Sequence, residues 1–257
     1  MKGDPVIQIE NLSHQYERWG HRVRALEEIV FDVSVNEWMM LVGPNGSGKS
    51  TLVRLLTGQI PIQDGKIVVA GHNIGIISRR ALSDVLFLVH QDPISGTAPG
   101  LTVREHLLLA DGRHWSGSRS RQRVSNLLES FHLEVDPNQP VETLSGGQRQ
   151  LLVLLMAKIR PAPIVLLDEP LAALDPLRAT LCLEAISLLH SEGKTLVFVT
   201  HDLKLATTCG KRTLGLSDGR LVYDEREEAR CVDDLQRIWT NSQATGSDSV
   251  RESWHRV

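Results

Sequence analysis

One stretch limits what this chain can fold into: residues 38–57, WMMLVGPNGSGKSTLVRLLT. Trp38, Met39, Met40, Leu41 and Val42 are apolar without polar alternation, the pattern of a strand buried on both faces. Gly43, Pro44, Asn45, Gly46, Ser47, Gly48, Lys49 and Ser50 then fit G-x-x-x-x-G-K-[ST]. Leu52, Leu55 and Leu56 follow at helical spacing. Strand, Gly-rich turn and helix start, in that order, are the context in which the pattern means phosphate binding. Glycines let backbone N–H groups converge on an anion, and the positive end of the helix points at the same place. Lys49 is expected on the β- and γ-phosphates of a nucleotide and the Ser50 hydroxyl on Mg²⁺, with Thr51 beside them. The pattern arises by accident in roughly 1% of chains this long, and the flanking strand and helix lower that further.

A second stretch supplies what a phosphate loop lacks. Ile164, Val165, Leu166 and Leu167 form an apolar run that ends in Asp168 and Glu169. A hydrophobic strand with an Asp at its carboxyl end presents a Mg²⁺ ligand beside the γ-phosphate, and Asp168 takes that role. Glu169, one residue on, points elsewhere and is placed to accept the proton of an attacking water.

The remaining chain organises itself around these two. Residues 5–35 read as antiparallel strand material with period-2 alternation, interrupted by a polar loop over 15–24. Strands follow near 66–70 and 86–89. From 95 to about 160 helical spacing replaces strand signals. Thr102 and Glu105 make a capping box for one helix, a Gly/Ser/Arg-rich loop spans 111–122, and a second helix carries Val124, Leu127, Leu128 and Phe131. A third helix starts in Ser145-Gly146-Gly147-Gln148. Strands return at 164–167 and 195–200 around a helix over 177–191, which argues a parallel sheet covered on both faces. A hairpin turns at Asp218-Gly219, a short helix occupies 232–239, and the polar, Ser-rich residues 241–257 read as a mobile tail.

Leu144-Ser145-Gly146-Gly147-Gln148, together with the phosphate loop and Asp168-Glu169-Pro170-Leu171-Ala172-Ala173-Leu174-Asp175, resembles the ATPase subunit of an ATP-binding cassette (ABC) transporter. The likeness covers residues 5–225 and keeps the family's motif order. Five such letters recur by chance on the order of once in several thousand chains. The resemblance implies an α/β fold: a P-loop NTPase with a RecA-like parallel sheet core, an antiparallel β-subdomain and an inserted α-helical subdomain. One ATPase domain over 1–240 would comprise core and β-subdomain at 1–91 and 160–225, with helices at about 92–159.

The same resemblance assigns roles. Gln91 matches the loop glutamine that touches Mg²⁺ and water. His201 matches the switch histidine that holds the γ-phosphate and water. Asp175 matches the loop that crosses to a partner subunit, and Tyr16 the aromatic that stacks on adenine, with Trp19 as its rival. Ser145, Gly146, Gly147 and Gln148 match the segment that contacts ATP held by the other subunit's loop. One loop and one pentapeptide per chain therefore imply a dimer, most simply a homodimer, around two ATP with Mg²⁺.

Partners follow from the family and from composition. The net charge of −3 gives no reason to expect a nucleic-acid partner. The polar start of the chain leads us to expect no secretory leader, and no apolar run approaches the ~18 residues of a membrane helix. The 53 positions between Gln91 and Leu144 (144 − 91) leave room for a compact helical subdomain rather than the coiled coil of DNA-repair relatives. A separate ATPase chain resembles a prokaryotic importer, which implies an integral membrane permease, an extracytoplasmic solute-binding protein and a peripheral place on the cytoplasmic face of the membrane. An exporter ATPase or a stand-alone cytosolic cassette is the alternative. Segments 90–99 and 148–157 resemble importer ATPases linked to tryptophan/tyrosine or related small-solute uptake. Cys182, Cys209 and Cys231 match no metal or redox spacing and read as small apolar fillers or surface thiols in a reducing compartment. The basic run Arg113, His114, Arg119, Arg121, Arg123 reads as a solvated loop, with contact to lipid headgroups or an acidic partner as the alternative.

Overall fold

A computed structural model describes residues 5–18, 21–112, 117–226 and 231–237, with backbone alone at 18 and 117–120. In chain order the elements are β1 (Pro5–Arg18), β2 (His21–Ser34), β3 (Trp38–Val42), α1 (Lys49–Leu56), β4 (Asp64–Val69), β5 (His72–Asn73), α2 (Arg79–Val85), β6 (Leu86–Val89), α3 (Val103–Asp111), α4 (Gly117–Ser130), α5 (Gly146–Ile159), β7 (Ile164–Asp168), α6 (Pro176–Ser191), β8 (Thr195–Thr200), α7 (Leu203–Thr208), β9 (Arg212–Ser217) and β10 (Arg220–Arg226). Short 3-10 turns occupy Pro93–Gly96 and Val141–Thr143, and residues 232–237 are helical. Two units divide the chain, one up to Ser78 and again from Val197, the other from Arg79 to Leu196.

The first unit holds an antiparallel sheet in the order β2-β1-β4-β5. Ile9 pairs with Phe31 on one side and Ile67 on the other, so the alternating apolar residues of β1 share one buried face. A second array runs β10-β9-β3-β8, in which β3 and β9 are parallel (Leu41 opposite Leu214) and β9 and β10 antiparallel. All five residues of β3 are buried, as its unbroken apolar run requires. Asp218 and Gly219 turn the last hairpin with positive φ of 46° and 77°, the primed geometry that suits strand twist.

Arg212 ties elements of this unit together. It is 3% exposed; its fork bonds the Asp224 carboxylate on β10 at 2.6 and 2.7 Å, and its Nη1 donates to the Asp32 carbonyl on β2 at 2.6 Å. Glu37 lies within 3.6 Å of the same guanidinium and 2.9 Å from Arg226.

The second unit carries β8-β7-β6, with β6 and β7 parallel (Val89 opposite Leu167). Between β6 and β7 the described residues form helices and no strand, apart from one isolated bridge, Thr102 to Pro140. The anticipated capping box is present: Thr102 Oγ1 accepts from Glu105 N at 3.2 Å, and Glu105 Oε2 accepts from Thr102 N at 2.7 Å. Cys182 is buried in α6, and burial pushes its thiol up to about 12, which makes it an inert filler.

Several elements differ from the sequence reading. Residues 15–18 and 21–24 continue the β1–β2 ladder instead of forming a loop, with Gln15 opposite Arg24, Tyr16 opposite Val23 and Glu17 opposite Arg22. Polar side chains there hide the alternation, while backbone pairing and an opposite-charge pair sustain the strands. Helix α4 starts at Gly117, inside the expected loop, and is supported by i,i+4 bonds from Gln122 to Asn126 and from Ser125 to Glu129. Helix α2 buries only Leu82, and α7 has six residues, too few for periodicity to register. Trp19, the basic residues Arg113 and His114, the end of the 232–239 helix and the 241–257 tail lie outside the described residues.

Candidate nucleotide-binding site

In the first unit, buried β3 delivers the chain into residues 43–48 and α1 leaves at Lys49. Gly48 sits at φ 107°, and a Cβ there would lie 2.5 Å from the Ala25 carbonyl, so only glycine fits where the loop becomes helix. No side chain caps α1, so the first-turn N–H groups are left for an anion. Lys49 is 6% exposed, and its ammonium donates to the carbonyls of Gly43 at 2.7 Å and Pro44 at 3.0 Å. Ser47 is 2% exposed, and among the described residues its hydroxyl has no hydrogen-bond partner. A buried cation and an unpartnered buried hydroxyl at an uncapped helix start fit a phosphate group. Asn45, Gly46 and Ser50 are exposed beside them.

Tyr16, half-buried on β1, stands next to this loop: its hydroxyl lies 3.4 Å from Thr51 Oγ1 on α1. The ring of His14 meets it edge-on, with centroids 4.8 Å apart at 74°. A cavity of about 380 Å³ opens along Ser13, His14, Tyr16, Gln63 and Asp64. His201 follows the wholly buried β8, is itself exposed, and precedes Asp202, whose carboxylate accepts from Leu205 N at 3.1 Å to cap α7.

The second unit groups the remaining candidates in two places. Because Val89 pairs with Leu167, Gln91 and Glu169 each follow by two residues on adjacent parallel strand ends, with Asp168 between Leu167 and Glu169. Gln91 is exposed; Asp168 and Glu169 are half-buried. Glu169 holds φ 46°, a left-handed backbone that a non-glycine residue keeps only under constraint, here directly before the buried Pro170. Asp92 then turns the chain, its carboxylate accepting from Ile94 N at 2.9 Å.

The other place is the start of α5. Ser145 caps it reciprocally with Gln148: Ser145 Oγ accepts from Gln148 N at 3.3 Å and Gln148 Oε1 accepts from Ser145 N at 2.9 Å. Arg149 Nη2 anchors this turn to the Val141 carbonyl at 2.9 Å. Gly147 is buried, and a Cβ there would meet Arg178 Cγ at 2.9 Å. Arg178 belongs to α6, and its own N–H donates to the capping carboxylate of Asp175 at 3.1 Å. The Ser-Gly-Gly-Gln turn and the Asp175 turn are thus in contact through one side-chain stem. Sequence reasoning named both turns but not Arg178, and nothing in spacing marks it.

A hydroxyl at Ser50 and a carboxylate at Asp168 are hard oxygen donors of the kind Mg²⁺ takes. Among the described residues no three His, Cys, Asp or Glu side chains form a metal site by themselves. Mg²⁺ is commonly held by one or two protein oxygens plus substrate phosphates, and each of these two donors, one in either unit, is of a kind that pattern uses.

Similarity to known proteins agrees with this chemistry. A family profile described as ABC transporter matches residues 26–172, more than half of the chain. The tyrosine transport ATP-binding protein of Clostridioides difficile is 32% identical over 235 residues, 88% of this chain and 94% of that protein. Nod factor export ATP-binding protein I of Sinorhizobium fredii is 32% identical over 231 residues, 89% of this chain and 65% of that protein. Relatives named for import and for export both occur. The solved dimer of an ATP-binding cassette in a post-hydrolysis state, bound to ADP and Pi, superposes with a TM-score of 0.75 at 26% identity, covering 86% of this chain and 98% of that one. The chain belongs to the ABC transporter family and is one of its nucleotide-binding, ATP-hydrolysing subunits.

Proposed function

We propose that this chain powers an importer: it dimerises around two ATP and drives solute uptake by a separate membrane permease that an extracytoplasmic solute-binding protein feeds. The observation that carries the reading is the phosphate cradle, where the buried Lys49 ammonium and Ser47 hydroxyl sit at the uncapped start of α1. Support for uptake comes from the relative named for phosphonate import, matched over 92% of its length, and the relative named for tyrosine transport, matched over 94%, supports the solute class. Tyrosine or a related small solute is therefore the first substrate to try. The relative named for Nod factor export supports an exporter as the second reading. No helix among the described residues is long and apolar enough to cross a membrane, so the permease is proposed to hold this subunit at the cytoplasmic face.

In this reading residues 43–48 and the α1 N–H groups bind the β- and γ-phosphates, Lys49 neutralises their charge, and adenine stacks on Tyr16. Ser50, Asp168 and Gln91 would hold Mg²⁺, which would supply charge neutralisation on the phosphate oxygens. Glu169 orients a water and takes its proton as the water oxygen bonds the γ-phosphorus and the bond to the β-phosphate oxygen breaks. His201 and Gln91 fix that water and the γ-phosphate. Ser145, Gly146, Gly147 and Gln148 of the second copy close over the same γ-phosphate, and Asp175 lines the crossing between copies. Loss of the γ-phosphate removes those contacts, so hydrolysis opens what binding closed.

The test uses Glu169→Gln. This variant should bind ATP with Mg²⁺, hydrolyse it at least ~100-fold more slowly, and run as a dimer on size exclusion, whereas the parent runs as a monomer. A variant that stays monomeric at saturating ATP overturns the closed-dimer reading. Uptake of radiolabelled tyrosine into vesicles carrying this chain with its permease tests direction, and ATP-dependent efflux instead would favour the exporter.

A further inference from the structure

The strand that carries Tyr16 is poorly supported by its neighbours. β1 pairs with β4 only as far as Ser13 opposite Asp64, and the register slips between Glu10 and Ser13. On its other side, pairing with β2 slips again between Ile9 and Leu12, Leu12 and His14, and His14 and Gln15. Each slip weakens the ladder and bends the strand. The chain therefore approaches Tyr16 as an irregular ribbon with one edge past the end of β4.

One side chain closes that edge. Gln63 Oε1 accepts from Gln15 N at 2.7 Å, and Gln63 Nε2 donates to the Gln15 carbonyl at 2.9 Å. In an antiparallel strand both backbone groups of a residue face the same neighbour. With both turned to Gln63, those of Gln15 face away from Arg24 on β2. The primary amide thus copies a backbone rung beyond the point where β4 begins, and it fixes the peptide immediately before Tyr16. Gln63 also lines the cavity beside Tyr16 and His14. One donor and the oxygen of its amide are engaged by the strand, which fixes the side chain as a wall of that cavity.

We propose that Gln63 is a positioning residue for base binding: its amide clamp on Gln15 holds Tyr16 at the angle where a purine can stack. The proposal rests on the reading of Tyr16 as the base platform. It separates nucleotide affinity into two parts held by different devices. The phosphate loop grips the triphosphate with no contribution from Gln63. Base stacking depends on the bulged end of β1, and so on the clamp.

The experiment measures ATP and inorganic tripolyphosphate binding by calorimetry for the parent, Gln63→Ala, Gln63→Met, Tyr16→Ala and the double variant Tyr16→Ala/Gln63→Met. Both Gln63 variants should weaken ATP about 3- to 10-fold, the scale of losing two backbone bonds at an exposed site. Tripolyphosphate affinity should stay within about 2-fold, a result that general loosening of the fold would not give. Gln63→Met should add nothing to Tyr16→Ala. Amide exchange at Gln15 should speed up in Gln63→Met, reporting the lost rung directly. If Tyr16→Ala leaves ATP affinity intact, the reading of Tyr16 fails and the proposal falls with it. If Tyr16→Ala weakens ATP while Gln63→Met does not, or the two effects add, Tyr16 stands and the clamp is overturned. Equal losses for ATP and tripolyphosphate would also overturn it.

Discussion

Two neighbouring glycines at the start of α5 separate chemistry from packing. An added Cβ at Gly146 would meet nothing within 4 Å, whereas at Gly147 it would lie 2.9 to 3.2 Å from the Arg178 stem. Gly146→Ala should therefore raise stability by about 0.4–1 kcal/mol through the unfolded chain. Gly147→Ala should lower the thermal midpoint, because a stem near its backbone cannot swing aside. Both should depress ATP hydrolysis if this turn meets a partner's nucleotide. Melting curves beside ATPase rates check the pair, and equal stability for the two would show that Arg178 yields. At this scale the sequence exposes residues whose type is dictated by chemistry: Lys49, Ser50 and Asp168 stand in patterns that few other functions need. Residues that act by proximity leave no such trace. Gln63 touches Gln15, the neighbour of Tyr16, and Arg178 touches Gly147, over separations of 48 and 31 positions (63 − 15 and 178 − 147), and their types are common on any surface.

Helix starts were the most readable elements, because a cap is local in sequence and its chemistry is restricted. Thr102 with Glu105 and Ser145 with Gln148 both form reciprocal caps. Thr102→Ala should cost about 1 kcal/mol, measured by urea unfolding, and should leave nucleotide affinity unchanged; a loss in affinity would mean α3 does more than support its unit. The outer rungs of the β1–β2 hairpin were unreadable for the opposite reason. Glu17 and Arg22 pair across strands with both side chains exposed, so no buried face imposes alternation on the letters. Elements with few buried residues, such as α2 with Leu82 alone, escape for the same cause.

At the scale of the whole chain, the fold class was legible from strand, loop and helix following one another with unbroken apolar strands. The fastening of one sheet to another was not. Arg212 is a buried cation at the first position of β9, and its partners lie 180 positions upstream at Asp32 (212 − 32) and across a hairpin at Asp224. Arg212→Ala should lose about 3 kcal/mol in urea unfolding, since it leaves the buried Glu37 without that cation; half-exposed Asp224 keeps the figure at the lower end. A loss below about 1 kcal/mol would mean that water substitutes readily for the guanidinium. The bonds of Lys49 bear on the chain as a whole too. Its ammonium donates to the carbonyls of Gly43 and Pro44, so the charge assigned to the phosphates also braces the first peptide groups of the loop. Truncating Lys49 to alanine therefore does not yield a neutral blank: two carbonyls lose a donor, and loop shape and nucleotide affinity change together.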